Sequence, residues 1–574
     1  MAKEEVINKF EELSKQNKWA ETILIALSTD GRGPDIIERL QRGDDAETIA
    51  RHIENNTLGD GRTSPSQTRR PLALDYDVQN MTDDISETGL FEGDVRWTGV
   101  TQDISLVTHL LDLYFTWVHP THMLLSESHF RRSFNNHRDT YCSSALVNAI
   151  CASACHLLRS SPQEAGESEG EFEKSLKEQF LAEARTLIPP TPFDKVTTVQ
   201  SLAVMSLVEA GSGNGLRGSS YIKLASSSML SGQFGQEVHE EVWQITLWGV
   251  QTLTNIWTEF TYENAVSQRL QGHRVFEGVS LERDNSMWRF YRFPHDQWLA
   301  TRPSLAILTA CELAKFAHHV RETTGLFYVN HRRNITARKV LTQYKRYLAW
   351  KENLPAPLSI VDSSPGALPH FFFLHVHYYT SIVHLFRPFV ELDNTHGDVD
   401  PNPRKVAIES AQAGMRLLEQ YQRYYTNRYQ PLLQVFCLIH LADFLVRYGP
   451  PDYAREAALF CFESLKQAHA GSDVCGPLQE MFRQTVRESG MTLPDEAAEY
   501  VRQKSTYTLD DMMDAYTQVT YAQPVEQIQQ LVTSTLGDDW NGDWNQISDI
   551  PESLSTRSST DSEKFLQIRS LLND

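Results

Sequence analysis

His375, His377 and His384 fall within one short run, LHVHYYTSIVHLF, and imidazoles at that density are the first place to seek a metal site or a general base. The spacing argues against both. On a helix, residues two apart point about 200° from each other, so His375 and His377 face opposite sides; His377 and His384 lie two turns apart, about 10 Å by helix rise. Helical metal pairs need ligands three or four residues apart with a carboxylate or third ligand close by. His318 and His319, and the pair His119 and His122, also lack Cys or acidic partners at useful spacing, and Trp117 and His119 read as packing and capping groups. The seven cysteines, Cys142, Cys151, Cys155, Cys311, Cys437, Cys461 and Cys475, contain no C-x-x-C pair. Cys151 and Cys155 sit four apart in an apolar helical run, where cysteine behaves as a small hydrophobe. No metal ligand or cofactor-binding residue is assigned on these grounds.

Other chemistries fare no better. The run Gly211 to Gly218, GSGNGLRG, invites a phosphate-loop reading, but it lacks the Lys-Ser/Thr pair and no parallel-strand pattern precedes it, so it reads as a glycine turn between helices. G-x-S-x-G, H-E-x-x-H and kinase signatures are absent. No catalytic residue is assigned, and the chain is not read as an enzyme.

The segment with the most specific composition is near the C-terminus. Between Lys504 and Arg557 there is no Lys, Arg or His, while Asp510, Asp511, Met512, Met513, Asp514 and Tyr516 form one acidic-hydrophobic cluster and Asp538, Asp539, Trp540, Asp543 and Trp544 another. Carboxylate repulsion is expected to keep such a segment extended, with aromatic and Met side chains available to an apolar groove on a partner. That composition suits a transcriptional activation segment. The plainer reading, an acidic tail that only aids solubility, gives the Trp residues no purpose.

The elements around these residues read as helical. Ile104, Val107, Leu110, Leu111, Tyr114 and Val118 recur at helical spacing, and Pro120 ends the run because it cannot donate a backbone hydrogen bond. The same period runs through Leu305, Leu308, Leu313, Phe316 and Val320, and through Val406, Ala407, Ala411, Met415 and Leu418. Breaks are expected at the acidic loop Ser160 to Glu171, at Pro189, Pro190 and Pro192, and at the proline-rich stretch Asn353 to Pro369. No sustained alternation or internal repeat is present, so the fold class expected is all-α. The organisation expected is short N-terminal helices over 1–54, a linker with little fixed structure over 55–100, a helical domain over 101–494 and the acidic-hydrophobic tail over 495–574.

Leu111 to Phe134, LDLYFTWVHPTHMLLSESHFRRSF, resembles the opening of the fungal-specific transcription factor domain, the helical middle region of zinc binuclear cluster regulators. Tyr141 to Leu158 resembles that family's second core helix, Gly213 to Leu230 its Gly/Arg turn feeding a helix, Glu241 to Trp257 its Trp-rich helix, and Leu374 to Phe389 the helix that ends in Arg-Pro-Phe. The order and spacing extend the resemblance over roughly residues 101 to 450. The family reads DNA through six cysteines holding two zinc ions, followed by basic residues, and no position here matches that module. The resemblance therefore implies a regulator lacking its DNA-reading module, or a gene whose true start lies upstream.

Composition fits this picture. The chain has 574 residues with 41% hydrophobic and 10% aromatic content, enough for a large buried core. The net charge of -21 argues against DNA or RNA binding over a broad surface, because such affinity comes largely from Lys and Arg replacing counterions. The basic Arg332 to Arg346 region reads as the solvated face of a helix whose other face is Val340, Leu341, Tyr344, Tyr347 and Leu348. No apolar run reaches the length needed to span a bilayer and the first residues are too charged for a secretory signal, so a soluble intracellular protein is expected, and the family resemblance implies the nucleus. The expected function is transcription regulation through the helical domain and acidic tail, with DNA contact supplied by the missing module or a partner. Expected partners are a coactivator or corepressor, a second copy of the chain and a small-molecule effector. The alternatives are a cluster-less interaction protein that titrates or tethers other regulators and, more remotely, a helical enzyme.

Overall fold

Asp103 opens the first described helix: its Oδ1 accepts from the backbone N–H of Ser105 at 2.9 Å and Leu106 at 3.2 Å, covering two donors that a helix start leaves unpaired. This helix, α1 (Ile104–Trp117), ends three residues before Pro120. Val107, Leu110, Leu111 and Tyr114 are buried as their spacing predicts, but Ile104, in the first turn, is 59% exposed and does not join that face. The computed structural model describes Thr48 and residues 97–158, 169–191, 193–231, 234, 238–261, 286–292, 301–329, 337–359, 367–390, 402–425, 427–469, 471–508 and 511. Two compact units divide between Asp94 and Val95. Of the first unit only Thr48 is described, in helical conformation, so the remaining N-terminal helices and the linker expected before residue 97 lie outside the described residues.

Helices α2 (Glu127–Asn135), α3 (Ser144–Ala154), α4 (Glu169–Thr186), α5 (Val196–Gly211), α6 (Gly215–Ser231) and α7 (Glu240–Thr261) follow. The acidic loop expected to reach Glu171 stops earlier, since α4 already begins at Glu169. Helix α3 is buried at every position after Ser144 and packs against α1, α4 and α5. Residues buried all round place a helix inside the body rather than on its surface. Helix α5 is buried from Val196 to Ala210 and lies along α6, and the closeness of that pair depends on Gly218: a Cβ there would stand 2.7 Å from the Ser206 carbonyl oxygen and 3.1 Å from the Trp257 ring. Gly213 turns the chain between the two helices at φ 88°, which favours glycine.

An antiparallel ladder that the helical periodicity did not foretell pairs β1 (Met287–Arg289) with β2 (Thr301–Pro303), Trp288 opposite Arg302. Three residues a strand is too short for an alternating pattern to register. The ladder is held by its tryptophan: Trp288 Nε1 donates to the Thr116 carbonyl at 2.9 Å, while Trp117 Nε1 donates to the Tyr291 carbonyl at 2.7 Å. Helices α8 (Ala306–Thr324), α9 (Ala337–Glu352), α10 (Ala356–Ser359, inside the expected proline-rich break), α11 (Pro369–Phe386), α12 (Pro403–Tyr425), α13 (Leu432–Tyr448), α14 (Pro451–His469), α15 (Cys475–Ser489) and α16 (Asp495–Arg502) complete the body. Val340, Leu341 and Tyr347 of α9 are buried opposite its basic side. The buried apolar residues form one large cluster from Trp97 to Val501 and a small one where Ile245 and Trp248 of α7 meet Ala306, Cys311 and Ala314 of α8. The fold is all-α apart from the short ladder, and among the described residues no helix is long and apolar enough to cross a membrane.

Candidate functional site

Three helices bury charged side chains that would be costly alone, and they meet. Glu259 sits near the end of α7, His377 and His384 on α11, and His440 and Asp443 on α13, all buried. His377 Nε2 lies 2.7 Å from Glu259 Oε2 and His384 Nδ1 lies 2.9 Å from Oε1, so one carboxylate takes a hydrogen bond from each imidazole. Because an ionised carboxylate only accepts, each of those ring nitrogens carries its proton. On its far side His384 Nε2 lies 2.7 Å from His440 Nδ1. Burial alone would raise the Glu259 carboxyl, but the charges and hydrogen bonds of His377 and His384 outweigh it and hold the group at about 2. Burial, reinforced by His384 and Arg387, holds His440 well below the ordinary histidine range.

A second ion cluster continues along α13. Asp443, fully buried, accepts from Arg387 Nη2 at 2.5 Å and from Arg447 Nε at 2.9 Å, and Arg447 Nη2 donates to Thr485 of α15 at 3.1 Å. The Arg-Pro-Phe that closes α11 thus sends its guanidinium into the body. Sequence spacing placed His377 and His384 too far apart to cooperate. The structure brings both to Glu259, a residue that local spacing could not supply. The available signal was a lone charge within apolar helical runs, Glu259 in NIWTEF and Asp443 in LIHLADFLV, since a buried charge must find a partner. His375 faces the other way, as its two-residue offset predicts: its Nε2 meets the Leu358 carbonyl at 2.7 Å and its Nδ1 meets Lys351. Among the described residues no group of three His, Cys, Asp or Glu could hold a metal ion.

Next to this network is a cavity of about 80 Å³. It is bounded by the end of α1, by α3 and α4, by the α5–α6 turn, by the segment leading into α13 and by the loop Gly471–Ser472. Phe373 joins the two features, with the His122 ring edge-on at 5.4 Å and the His377 ring stacked at 5.8 Å. Burial, with a contribution from His377, lowers His122 to about 3, so it is neutral. On the cavity wall Lys177 donates to Asp473 Oδ2 at 2.9 Å. Trp117 stacks on Tyr429 at 4.2 Å, which makes it a packing group as its sequence context predicts, and His119 is buried against Phe115. All seven cysteines are buried thiols, and burial pushes Cys475 up to about 12.

The last described residues are fastened to α15. Arg487 donates to the backbone carbonyls of Val501 and Gln503 at 2.5 and 2.9 Å, and Arg483 to that of Tyr500 at 3.2 Å. The Tyr507 hydroxyl occupies the space that any side chain at Gly476 would need. Thr508 and Asp511 then bond reciprocally: the Thr508 N–H and hydroxyl donate to Asp511 Oδ2 at 2.9 and 2.6 Å, and the Asp511 N–H to Thr508 Oγ1 at 3.2 Å. These bonds lower the Asp511 carboxyl below its ordinary range. Of the candidate activation residues only Asp511 is described; Asp510, Met512, Met513, Tyr516, Asp538, Asp539, Trp540 and Trp544 lie outside the described residues.

Comparison with known proteins bears on this helical body: residues 111–248 match the fungal specific transcription factor domain. The match begins at Leu111, where the resemblance read from the sequence begins. More particularly, the chain is similar to the nitrogen assimilation transcription factor nirA of Emericella nidulans, 27% identical over 59% of this chain and 40% of nirA. It is similar to the nitrogen assimilation transcription factor nit-4 of Neurospora crassa, 28% identical over 60% of this chain and 34% of nit-4. The notoamide biosynthesis transcriptional activator notL' of Aspergillus versicolor is 25% identical over 49% of this chain and 45% of notL'. The matches span less than half the length of each of these relatives, which are two transcription factors and a transcriptional activator. No solved structure matches the chain.

Proposed function

We propose that this chain is a fungal transcription regulator acting in the nucleus, with its helical domain as the regulatory body and its acidic-hydrophobic tail as the surface that recruits a coactivator. The observation that carries the reading is the fungal specific transcription factor domain at 111–248, together with relatives that are themselves transcription factors. The tail supports it by composition, since Trp540 and Trp544 stand among Asp538, Asp539 and Asp543 with no basic residue between Lys504 and Arg557. Apolar side chains would enter a groove while carboxylates steer association with a basic rim. The net charge of -21 supports DNA contact through a separate module or a partner rather than over the surface of this chain. Fastening of residues 500–508 to α15 gives the body a hold on the tail, so that a corepressor or effector acting on the body would reach it. The test fuses the full chain to an unrelated DNA-binding domain beside a reporter. Output should exceed that of the DNA-binding domain alone and fall to near that background with Trp540→Ala and Trp544→Ala together; output indifferent to both changes would refute the tail's role.

A further inference from the structure

We infer that the exposed basic stripe of α9 is the docking surface for this chain's own acidic-hydrophobic segment, residues 510–544. The contact is argued from charge and chain length; only its consequence, restraint of an activating tail, rests on the function proposed above. Arg338, Lys339, Lys345 and Arg346 of α9 are all exposed, while Val340, Leu341, Tyr347 and Trp350 are buried. Steps of seven residues, from 338 to 345 and from 339 to 346, return to nearly the same side of a helix two turns on, so the four cations form one stripe about 10 Å long. Thr342, exposed between them, adds no charge. Arg346 is paired with Glu322 of α8, whereas the Arg338 and Lys345 side chains have no ion-pair partner among the described residues.

Charge and tethering select the occupant. In a chain of net charge -21, residues 505–556 hold nine Asp and Glu with no Lys, Arg or His, so the most acidic segment complements the basic stripe. Its attachment to the body is described as far as Asp511, beyond the strap that Arg483 and Arg487 hold to α15. From Asp511 to Asp538 the chain runs 27 residues. Fully extended these reach about 90 Å, more than the roughly 55 Å across a compact domain of about 400 residues, so α9 lies within range wherever the strap ends. A flexible tether of that kind supplies the segment at about millimolar effective concentration, which favours it over a separate acidic partner present at micromolar levels. Asp538, Asp539 and Asp543 would meet the ammonium and guanidinium groups, and Trp540 and Trp544 offer ring faces to the same cations. Docked in this way, the tryptophans are hidden from a coactivator groove.

A carbodiimide joins an amine to a carboxylate in contact with it, so cross-linking of the full chain, read by mass spectrometry, tests the docking. An equimolar mixture of isotope-labelled and unlabelled chain separates a contact within one molecule from one between two. Lys339 or Lys345 should be joined to Asp538, Asp539 or Asp543, with both peptides carrying the same label, and the yield should fall at least about threefold at about 1 M salt. Arg338→Glu with Lys345→Glu should lower the Lys339 cross-links about tenfold while leaving the circular dichroism spectrum unchanged. If that pair fails to fold, Lys345→Gln takes its place with a loss of about threefold expected. On an unrelated DNA-binding domain, the charge-reversed full chain should raise reporter output at least about threefold, toward that of residues 505–556 alone. Absence of those cross-links, cross-links from the tail to other lysines only, mixed-label pairs, or a yield indifferent to charge reversal would overturn the docking. The expected cross-links with an active tail but no reporter gain would overturn the restraint. The same cross-links with a silent isolated tail would uphold the docking and refute the activation reading instead.

Discussion

Glu259 is the residue on which the packing of α7, α11 and α13 turns, because its carboxylate holds an imidazole on each oxygen. Glu259→Gln leaves the shape but replaces one acceptor oxygen with an NH2 that faces a ring N–H. We expect a loss of roughly 2–4 kcal/mol in denaturant unfolding, and an unchanged midpoint would contradict the role given to it. The buried histidines make a separate prediction about acid. His119 and His122 are lowered to about 3 and His370 to about 4, in each case chiefly by burial. Each is neutral in the fold and gains a proton on unfolding, so its contribution is complete above the unfolded value near 6.5 and is lost as pH falls toward the folded value. The slope is up to about 1.4 kcal/mol per pH unit for each histidine. Glu259, depressed to about 2, acts in a lower window, its contribution being present above about 4.5 and lost as pH falls toward 2. Tm should therefore drop by several degrees between pH 7 and pH 5.5, before carboxylates titrate; a flat Tm over that interval would contradict it. At this scale the sequence allowed a sound reading of His375 and Trp117, whose surroundings are local. It could not reveal the Glu259 network, whose partners come from helices more than a hundred residues apart.

Helices were the most legible level, since apolar period and proline punctuation are local signals. The run from Val107 to Tyr114, the Gly/Arg turn into α6 and the helix closing in Arg-Pro-Phe all stand where their residues place them. Missed features were those too short to have a period, namely β1, β2 and α10, and the start of α4, which lies within a stretch of acidic, loop-like composition. Two glycines separate the reasons a helix pair needs them. At Gly218 a methyl group would meet the Ser206 carbonyl, so Gly218→Ala should force α5 from α6 and cost about 2 kcal/mol or more. At Gly213 an added methyl would meet nothing within 4 Å, so Gly213→Ala should cost only the left-handed backbone strain, about 1 kcal/mol. Chemical denaturation of both variants checks the order, and a reversed order would refute the packing described for that pair. Tyr507→Ala should loosen residues 501–508 from α15, seen as faster amide exchange there with little change in Tm; unchanged exchange would show that Arg483 and Arg487 hold the segment alone.

Across the whole molecule, a large helical body includes residues 111–248, which match the fungal specific transcription factor domain, and is followed by a segment, 505–556, whose acids and tryptophans have no basic neighbours in sequence. The family resemblance was legible because it rests on the order of several weak motifs, each set by helix packing. The tail's role, by contrast, rests on composition, which specifies a kind of partner but no geometry. The most direct test places residues 505–556 and the full chain separately on the same unrelated DNA-binding domain and compares reporter output at matched expression. The isolated segment should activate, more strongly than the full chain because the body restrains it, and should lose most of that output with Trp540→Ala and Trp544→Ala. A silent segment at matched expression would contradict the proposal and leave residues 505–556 as a solubilising tail.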